Sequence, residues 1–149
     1  MGNLKLTSSS FSDGGEIPRK CGYINGNEKP QLTIIGVPEG TKHLALIMDD
    51  PDAMVAVGKV WVHWVVWNIP SDQSQEKIDY TRSDEGITDF GEIGYGGPAP
   101  PDKRHTYIFK LYALDTKLDL LDKSTKADVE KAMEGHILEQ ATLTGTYAP

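Results

Sequence analysis

The sequence predicts a mainly β domain of two packed sheets, with one helix near the C-terminus. Three observations support this fold class. Apolar residues occur in short runs, the runs are separated by segments rich in Gly, Pro, Asn, Asp and Ser, and a single stretch has a helical repeat. A chain of 149 residues suits one domain with one sizeable core, so we expect residues 1–149 to form a single domain.

Five runs are predicted to be strands, and the two longest are apolar at both odd and even positions. A strand of this kind is covered on both faces, so these two runs belong in the interior of a sheet. We expect Gly36 to mark a bulge, because glycine inside a strand pattern often does so. The predicted strands are Leu4–Thr7, Gln31–Val37, His43–Met48, Val60–Ile69 and His105–Leu114.

The predicted helix covers Lys126–Leu143. Thr125, with Asp128 three residues on, resembles a capping box in which Asp stands in for Glu. Gly135 inside a helix costs about 1 kcal/mol relative to Ala, which suggests that another segment packs closely there. One helical stripe carries apolar residues and a histidine: Val129, Ala132, Met133, His136 and Ile137.

The composition restricts the function classes. A net charge of −7 without a basic block disfavours nucleic acid and anionic membrane surfaces as partners. The single cysteine, Cys21, allows no intramolecular disulfide and indicates a reducing compartment. The N-terminal sequence lacks the apolar core of a signal peptide, and the longest apolar run is too short to span a bilayer. We therefore expect a cytoplasmic protein without stable membrane insertion.

Several polar residues do not fit a plain core. Asp50 and Asp52 follow one predicted strand, and His63 interrupts the most apolar one. His105 and Tyr107 begin another strand and share a face, because they are two residues apart. Each residue taken alone has a structural explanation, as a buried core histidine or part of a turn. Their coincidence at strand ends predicts a site at one end of the sandwich.

Strand pairing brings some of these residues together. If the runs before and after Pro51 pair as antiparallel strands, Asp50 lies opposite Trp61 and one diagonal step from His63. A buried imidazole needs a hydrogen-bond partner. We therefore expect the carboxylate of Asp50 or Asp52 to bind His63 and to raise its pKa.

The segment Gly94–Tyr107 (GYGGPAPPDKRHTY) leads into the strand that begins at His105. Its first eight residues hold three glycines and three prolines, which makes a stiff loop with few side chains. Such a loop either connects strands rigidly or brings bare backbone N–H groups close to a ligand. The residues alone leave both interpretations open.

Other site chemistries have weaker signals. Asp and His side chains could hold zinc or iron, but no HxH or HExxH spacing is present, so we predict neither a metal nor a cofactor. The hydrolase motif GxSxG and the phosphate-binding motif GxxxxGK[ST] are both absent. A metal-dependent or acid–base hydrolase using Asp50, Asp52, His63 and His105 remains the main alternative, and a structural module with a vestigial pocket is a third.

Three segments in this order and spacing resemble one family across almost the whole chain. They are Asp49–Ala53 (DDPDA), His63–Pro70 (HWVVWNIP) and Gly94–Asp115, with its GYGGPAPP and LYALD. They are similar to the phosphatidylethanolamine-binding protein and Raf kinase inhibitor family, in its bacterial and archaeal branch. The chain departs from the family pattern at Met54, where relatives usually carry proline, and at Thr106, within KRHTY in place of GxHRY.

The resemblance implies a fold and a function. The fold is a β-sandwich with a large central antiparallel sheet, a smaller second sheet and a C-terminal helix. The function is binding of phosphate, or of a phosphorylated or phospholipid head group, in a regulatory protein that inhibits a kinase or a serine protease and is not an enzyme. Because bacterial relatives pair as dimers, the resemblance also allows a homodimer. The implied ligand-binding residues are Asp50, Pro51, Asp52, Trp61, His63, Gly94, Gly96, His105, Tyr107 and His136.

The implied mechanism assigns the donors to three places. The Gly/Pro loop offers backbone N–H groups to the anion, and His63 and His105 supply side-chain donors. The carboxylates orient the imidazoles and favour their protonated forms, which predicts stronger anion binding at mildly acidic pH.

Overall fold

The chain forms two β-sheets and two α-helices in the residues that the structure, a computed structural model, describes: 3–71, 78 and 80–149. Single 3-10 turns occur at Arg19–Cys21 and Tyr80–Arg82. The helices and strands in chain order are β1 (Lys5–Thr7), β2 (Gly15–Glu16), β3 (Thr33–Ile35), β4 (His43–Asp50), α1 (Ala53–Val57), β5 (Trp61–Pro70), β6 (Asp84–Glu85), β7 (His105–Leu114), α2 (Lys126–Met133) and β8 (Ile137–Tyr147).

The larger sheet has six strands in the order β2-β8-β7-β4-β5-β6, and β1 pairs with β3 in a smaller sheet. All neighbours are antiparallel except β2 and β8. The two runs that are apolar at both odd and even positions form β5 and β7. Both strands lie inside the larger sheet, with a neighbouring strand on either side. The predicted β-sandwich with a large central sheet and a smaller second sheet is confirmed.

Each face of the larger sheet packs against a different layer. Alternation along β4 sends Leu44, Leu46 and Met48 towards the small sheet and Ala45 and Ile47 towards α2. Every one of these five side chains is fully buried. The alternation also separates the polar residues at the end of β4. Asp50 lies on the same face as Met48, and Asp49 lies on the same face as Ile47.

The second half of the predicted C-terminal helix is a strand. The helix α2 begins with the predicted capping box at Thr125 and Asp128, but it ends at Met133. Gly135 follows with φ +79°, a left-handed conformation that ends helices, and an added Cβ there would meet open space. The glycine is therefore required by its backbone conformation and not by close packing, so that inference was wrong. Beyond it, β8 pairs with β7 from Leu114 back to His105.

The remaining local expectations have mixed outcomes. Gly36 directly follows β3 with φ +72°, at the end of the strand and not within it. Met54 lies in α1, and the described residues contain no cis peptide bond. No helix in the described part of the chain combines the length and the apolar character needed to cross a membrane.

Candidate ligand-binding pocket

A small cavity lies where the end of β4 meets the beginnings of β5 and β7. These ends meet because β4 is antiparallel to both neighbours. The cavity has a volume of about 130 Å³. It is lined by Asp50, Ala53, Ala56, Val57, Trp61, His63, Phe90, Ala99, Pro101, His105 and Tyr107. Of the sequence-predicted residues, five line this cavity: Asp50, Trp61, His63, His105 and Tyr107.

A β-bulge places His63 at the cavity. Met48 pairs with Trp64 and Asp49 pairs with Val62, so His63 is an extra residue on β5. A bulge allows consecutive side chains to lie on the same side of a sheet. Trp64 belongs to the core beneath the small sheet, and His63 packs edge-on against Tyr107 of that same core, with ring centroids 5.1 Å apart. The predicted pairing of Asp50 with Trp61 is present in the register.

The hydrogen-bond partner of His63 differs from the expected one. Its Nδ1 lies 2.6 Å from the carbonyl oxygen of Gly96, and none of the described carboxylates is hydrogen-bonded to the ring. A carbonyl oxygen only accepts, so the proton is on Nδ1 and the neutral ring has an acceptor at Nε2. Burial lowers the pKa of His63, and this outweighs the opposing effects of Gly96 and Asp50. The expectation of a raised pKa was therefore wrong, and the lowered pKa favours the neutral ring, which accepts at Nε2.

His105 is the residue that Asp50 holds. Its Nδ1 lies 2.6 Å from Oδ2 of Asp50, and its Nε2 lies 2.7 Å from Oδ1 of Asp102. Both ring nitrogens donate in this arrangement, because carboxylates only accept, so the ring is an imidazolium. Burial tends to lower the pKa of His105, but the hydrogen bonds and negative charges of Asp50 and Asp102 prevail and raise it. The pocket thus contains a buried cation.

Asp52 fixes the strand ends and does not line the cavity. Its backbone N–H donates to Oδ1 of Asp50 at 2.9 Å, and its Oδ2 accepts from the backbone N–H of Thr106 at 2.8 Å. These bonds join the turn after β4 to the beginning of β7. Asp52 therefore positions the two strand ends, and neither Asp52 nor Pro51 is among the residues that line the cavity.

The glycines of the Gly/Pro loop donate their N–H groups to the protein. Gly96 donates to the carbonyl of His63 at 2.8 Å, Gly97 to Oδ1 of Asn27 at 2.7 Å, and Gly94 to the carbonyl of Gly86 at 3.2 Å. The expectation that Gly94 and Gly96 present free N–H groups to an anion was wrong. A Cβ on Gly96 would lie 2.5 Å from the ring of Phe90, so this glycine permits close packing.

His136 lies outside the cavity. It sits between α2 and β8, where its Nδ1 is 2.8 Å from Oδ1 of Asp115 and its side chain is 45% exposed. Its predicted position on a helical stripe depended on a helix that ends at Met133. In the described ranges, no three His, Cys, Asp or Glu side chains are grouped so that they could hold a metal ion.

Two polar atoms beside the cavity lack partners. Nε1 of Trp61 and the hydroxyl of Tyr107 are buried without a hydrogen bond to any described residue, although the backbone of Ala99 approaches the hydroxyl. Buried polar groups are normally satisfied, so unpaired ones beside a cavity suit a polar ligand. Burial also raises the pKa of Tyr107, which keeps the hydroxyl protonated.

Sequence reasoning missed part of the pocket. Phe90, Ala99, Pro101 and α1 complete its wall, and Asp102 binds its cation. Asp102 could have been found from its position three residues before His105 within the loop. Phe90 carries no such signal, because it is brought in by the segment after β6 and packs against Trp61, with ring centroids 5.6 Å apart.

The two pocket histidines should titrate in opposite directions from the ordinary value of about 6.5. Proton NMR of the imidazole carbon-bound protons, followed from pH 4 to pH 9, should give His105 a midpoint above that value and His63 a midpoint below it. Assignment uses His63→Gln and His105→Gln, with His136→Gln as the control outside the pocket. Midpoints in the reverse order would contradict the charge distribution given above.

Comparison with known proteins identifies the family. The sequence model described as phosphatidylethanolamine-binding protein matches residues 7–148. A UPF0098 protein of Methanothermobacter thermautotrophicus is 46% identical, over 97% of this chain and 98% of its own.

Solved structures show the same similarity. A phosphatidylethanolamine-binding protein homolog from Chlamydia trachomatis has a TM-score of 0.85 at 38% identity, covering 97% of this chain and 96% of its own. YbcL of Escherichia coli, described as a member of the mammalian PEBP family, has a TM-score of 0.86 at 33% identity over 98% of both chains. None of these names is that of an enzyme, and the family is one of binding proteins. The chain belongs to the phosphatidylethanolamine-binding protein family, in its bacterial and archaeal branch.

Proposed function

We propose that the pocket binds a small phosphorylated ligand, such as phosphate or a phosphorylated head group. The observation that carries this proposal is His105 in the cavity wall, because the carboxylate oxygens at both of its ring nitrogens favour the imidazolium. Among the cavity-lining residues it is the side chain that offers a positive charge, since His63 is neutral. A charged donor of this kind forms strong hydrogen bonds with oxyanions.

The size of the cavity favours a head group over a whole lipid. Its volume of about 130 Å³ is well below the roughly 300–1,000 Å³ of pockets that enclose drug-sized ligands. A phosphate group can enter, while a longer substituent has to extend out of the cavity. The ligand chemistry is therefore that of a phosphate monoester or diester, from either a soluble metabolite or a lipid.

For inorganic phosphate and phosphate monoesters, the protonation states favour the form that still carries a proton. His63 presents an acceptor at Nε2, which repels a fully ionised oxygen but accepts a bond from a P–OH group. The second pKa of a phosphate monoester is about 6. Mild acid therefore increases both the fraction of protonated ligand and the charge of His105, and both changes strengthen binding.

The hydrolase alternative has less geometric support. Both nitrogens of His105 donate to carboxylates, so it has no lone pair with which to act as a general base. Both oxygens of Asp50 already accept hydrogen bonds. The residues lining the cavity include no serine, threonine or cysteine nucleophile.

A regulatory role through a protein partner is the second part of the proposal. The helix α1 forms one wall of the cavity and exposes Met54, Val55 and Val57, with Val55 81% exposed. Exposed apolar residues beside a pocket are typical of contact surfaces.

Assays of a serine protease and a protein kinase with equimolar protein test the inhibitory role that the resemblance implies. Unchanged activity of both enzymes would count against that role.

Calorimetric titration tests the ligand. We expect saturable binding of inorganic phosphate and of O-phosphorylethanolamine, tighter at pH 5.5 than at pH 7.5. Sulfate is the matched control, because it has a similar shape but carries no proton at either pH, and it should bind more weakly than phosphate at pH 5.5.

Vesicles separate the two sources of phosphate. Co-sedimentation with phosphatidylethanolamine in phosphatidylcholine vesicles, but not with phosphatidylcholine alone, would identify a lipid head group. Binding of the soluble ligands without co-sedimentation would identify a soluble phosphate compound. Absence of binding to any of these probes at either pH would overturn the proposed function.

A further inference from the structure

We propose that the Asp102 carboxylate occupies the ligand position, and that a bound oxyanion replaces it on Nε2 of His105. Asp102 then acts as a built-in competitor that sets the affinity of the pocket. This inference rests on the proposed function and names the contact that the ligand has to displace.

The two carboxylates that hold His105 are not equivalent. The side chain of Asp50 is 3% exposed and lies at the end of β4, where it also accepts a bond from the backbone of Asp52. The side chain of Asp102 is 38% exposed and lies in the loop before β7. Breaking the bond to Asp50 leaves a buried charge without a partner, whereas Asp102 can turn into solvent and be hydrated there. Asp102 is therefore the partner that can leave.

The geometry of the Asp102 contact is that of a bound anion. An oxygen lies 2.7 Å from Nε2, within the range of charge-assisted bonds between a nitrogen cation and a carboxylate or phosphate oxygen. The other ring nitrogen is already bonded to Asp50. An external oxyanion that binds the ring edge-on thus has a single place available on His105, and Asp102 fills it.

Competition within the chain lowers the apparent affinity. Only molecules in which Asp102 has turned away can accept the anion, so the observed dissociation constant equals the intrinsic one divided by the fraction of such molecules. The negative charge of Asp102 also repels an approaching anion. Both effects act against phosphate, and both are removed when Asp102 loses its charge.

The test is Asp102→Asn, titrated with inorganic phosphate and with O-phosphorylethanolamine at pH 5.5. The variant loses the competitor at Nε2 and keeps the Asp50 carboxylate at Nδ1 as a partner that favours the imidazolium. We expect the variant to bind phosphate about fivefold to tenfold more tightly than the wild-type protein. The NMR midpoint of His105 should also fall, because one of its two carboxylate partners is gone.

A matched control separates this effect from a change in net charge. Asp115→Asn makes the same change in charge and removes the carboxylate beside an exposed histidine, His136, outside the pocket. It should leave phosphate affinity within about twofold of wild type. An equal gain in both variants would mean that general charge, and not the Asp102 contact, controls the affinity.

The outcomes distinguish the inference from the proposed function. If the wild-type protein binds phosphate and Asp102→Asn binds it equally or more weakly, the role of Asp102 is overturned and the pocket function stands. If neither protein binds phosphate, the proposed function fails and this inference fails with it. Binding by the variant alone would support Asp102 as the blocking group, but it would overturn the proposed function of the wild-type protein.

Discussion

Replacement of His105 by glutamine is expected to abolish most phosphate binding at pH 5.5. Glutamine can still donate a hydrogen bond to Asp50, but it brings no positive charge. Loss of a hydrogen bond between charged groups costs about 2–3 kcal/mol, or roughly 30-fold to 150-fold in affinity. Calorimetry with inorganic phosphate measures the loss, and His136→Gln serves as a histidine control outside the pocket. Unchanged affinity in His105→Gln would show that the anion does not use this cation.

The same variant should change the dependence of stability on pH. The native pKa of His105 is raised, so its stabilising contribution is fully present below about pH 6.5 and is lost as pH rises through the native pKa. Urea unfolding of the wild-type protein should therefore show a fall in the free energy of unfolding across that range. His105→Gln should remove this part of the fall. A pH profile identical to wild type would contradict the ion pairs of His105 with Asp50 and Asp102.

Gly97→Ala is expected to destabilise the protein by about 3 kcal/mol or more. An added Cβ would overlap the carbonyl oxygen of Cys21 and approach the backbone of Gly22, and backbone atoms cannot move aside as a flexible side chain can. The displacement would also strain the bond from Gly97 N–H to Asn27. Urea unfolding followed by tryptophan fluorescence measures the loss in the free energy of unfolding.

Gly91→Ala is the control for this substitution. It has φ +80° and no atom within 4 Å of an added Cβ, so it tests backbone strain without overlap. Its cost should be about 1–2 kcal/mol. A cost for Gly97→Ala no greater than that of Gly91→Ala would show that the loop yields easily. The adjacent Gly96 carbonyl accepts the hydrogen bond from Nδ1 of His63. If Gly97→Ala lowers the free energy of unfolding, it should therefore also displace the His63 ring.

Local patterns were sufficient for the main strands and for part of the site. β5 and β7 could be located because a strand that is apolar at both odd and even positions must be covered on both of its faces. The capping box at Thr125 marked the beginning of α2, because its two hydrogen bonds are made within four residues. The pairing of Asp50 with Trp61 followed from one short connection between two strands.

The end of α2 could not be inferred from its own residues. The spacing of Met133, His136 and Ile137 fits a helix, but the backbone beyond Gly135 gains more by pairing along β7. Without β8, the N–H and C=O groups on that side of β7 would have no strand to pair with, and burying them unpaired is costly. A distant strand thus set the conformation of residues that favour a helix locally.

The charges in the pocket were likewise set by contacts between distant segments. The sequence indicated that Asp50, His63 and His105 would meet, because they lie at strand ends that an antiparallel sheet brings together. It did not indicate which carboxylate would bind which imidazole. A one-residue bulge turns His63 towards Gly96, whose carbonyl accepts its hydrogen bond. The carboxylate of Asp50 instead binds His105. Hydrogen bonds depend on tenths of an ångström, and distances of that order are fixed only when all the packed segments are in place.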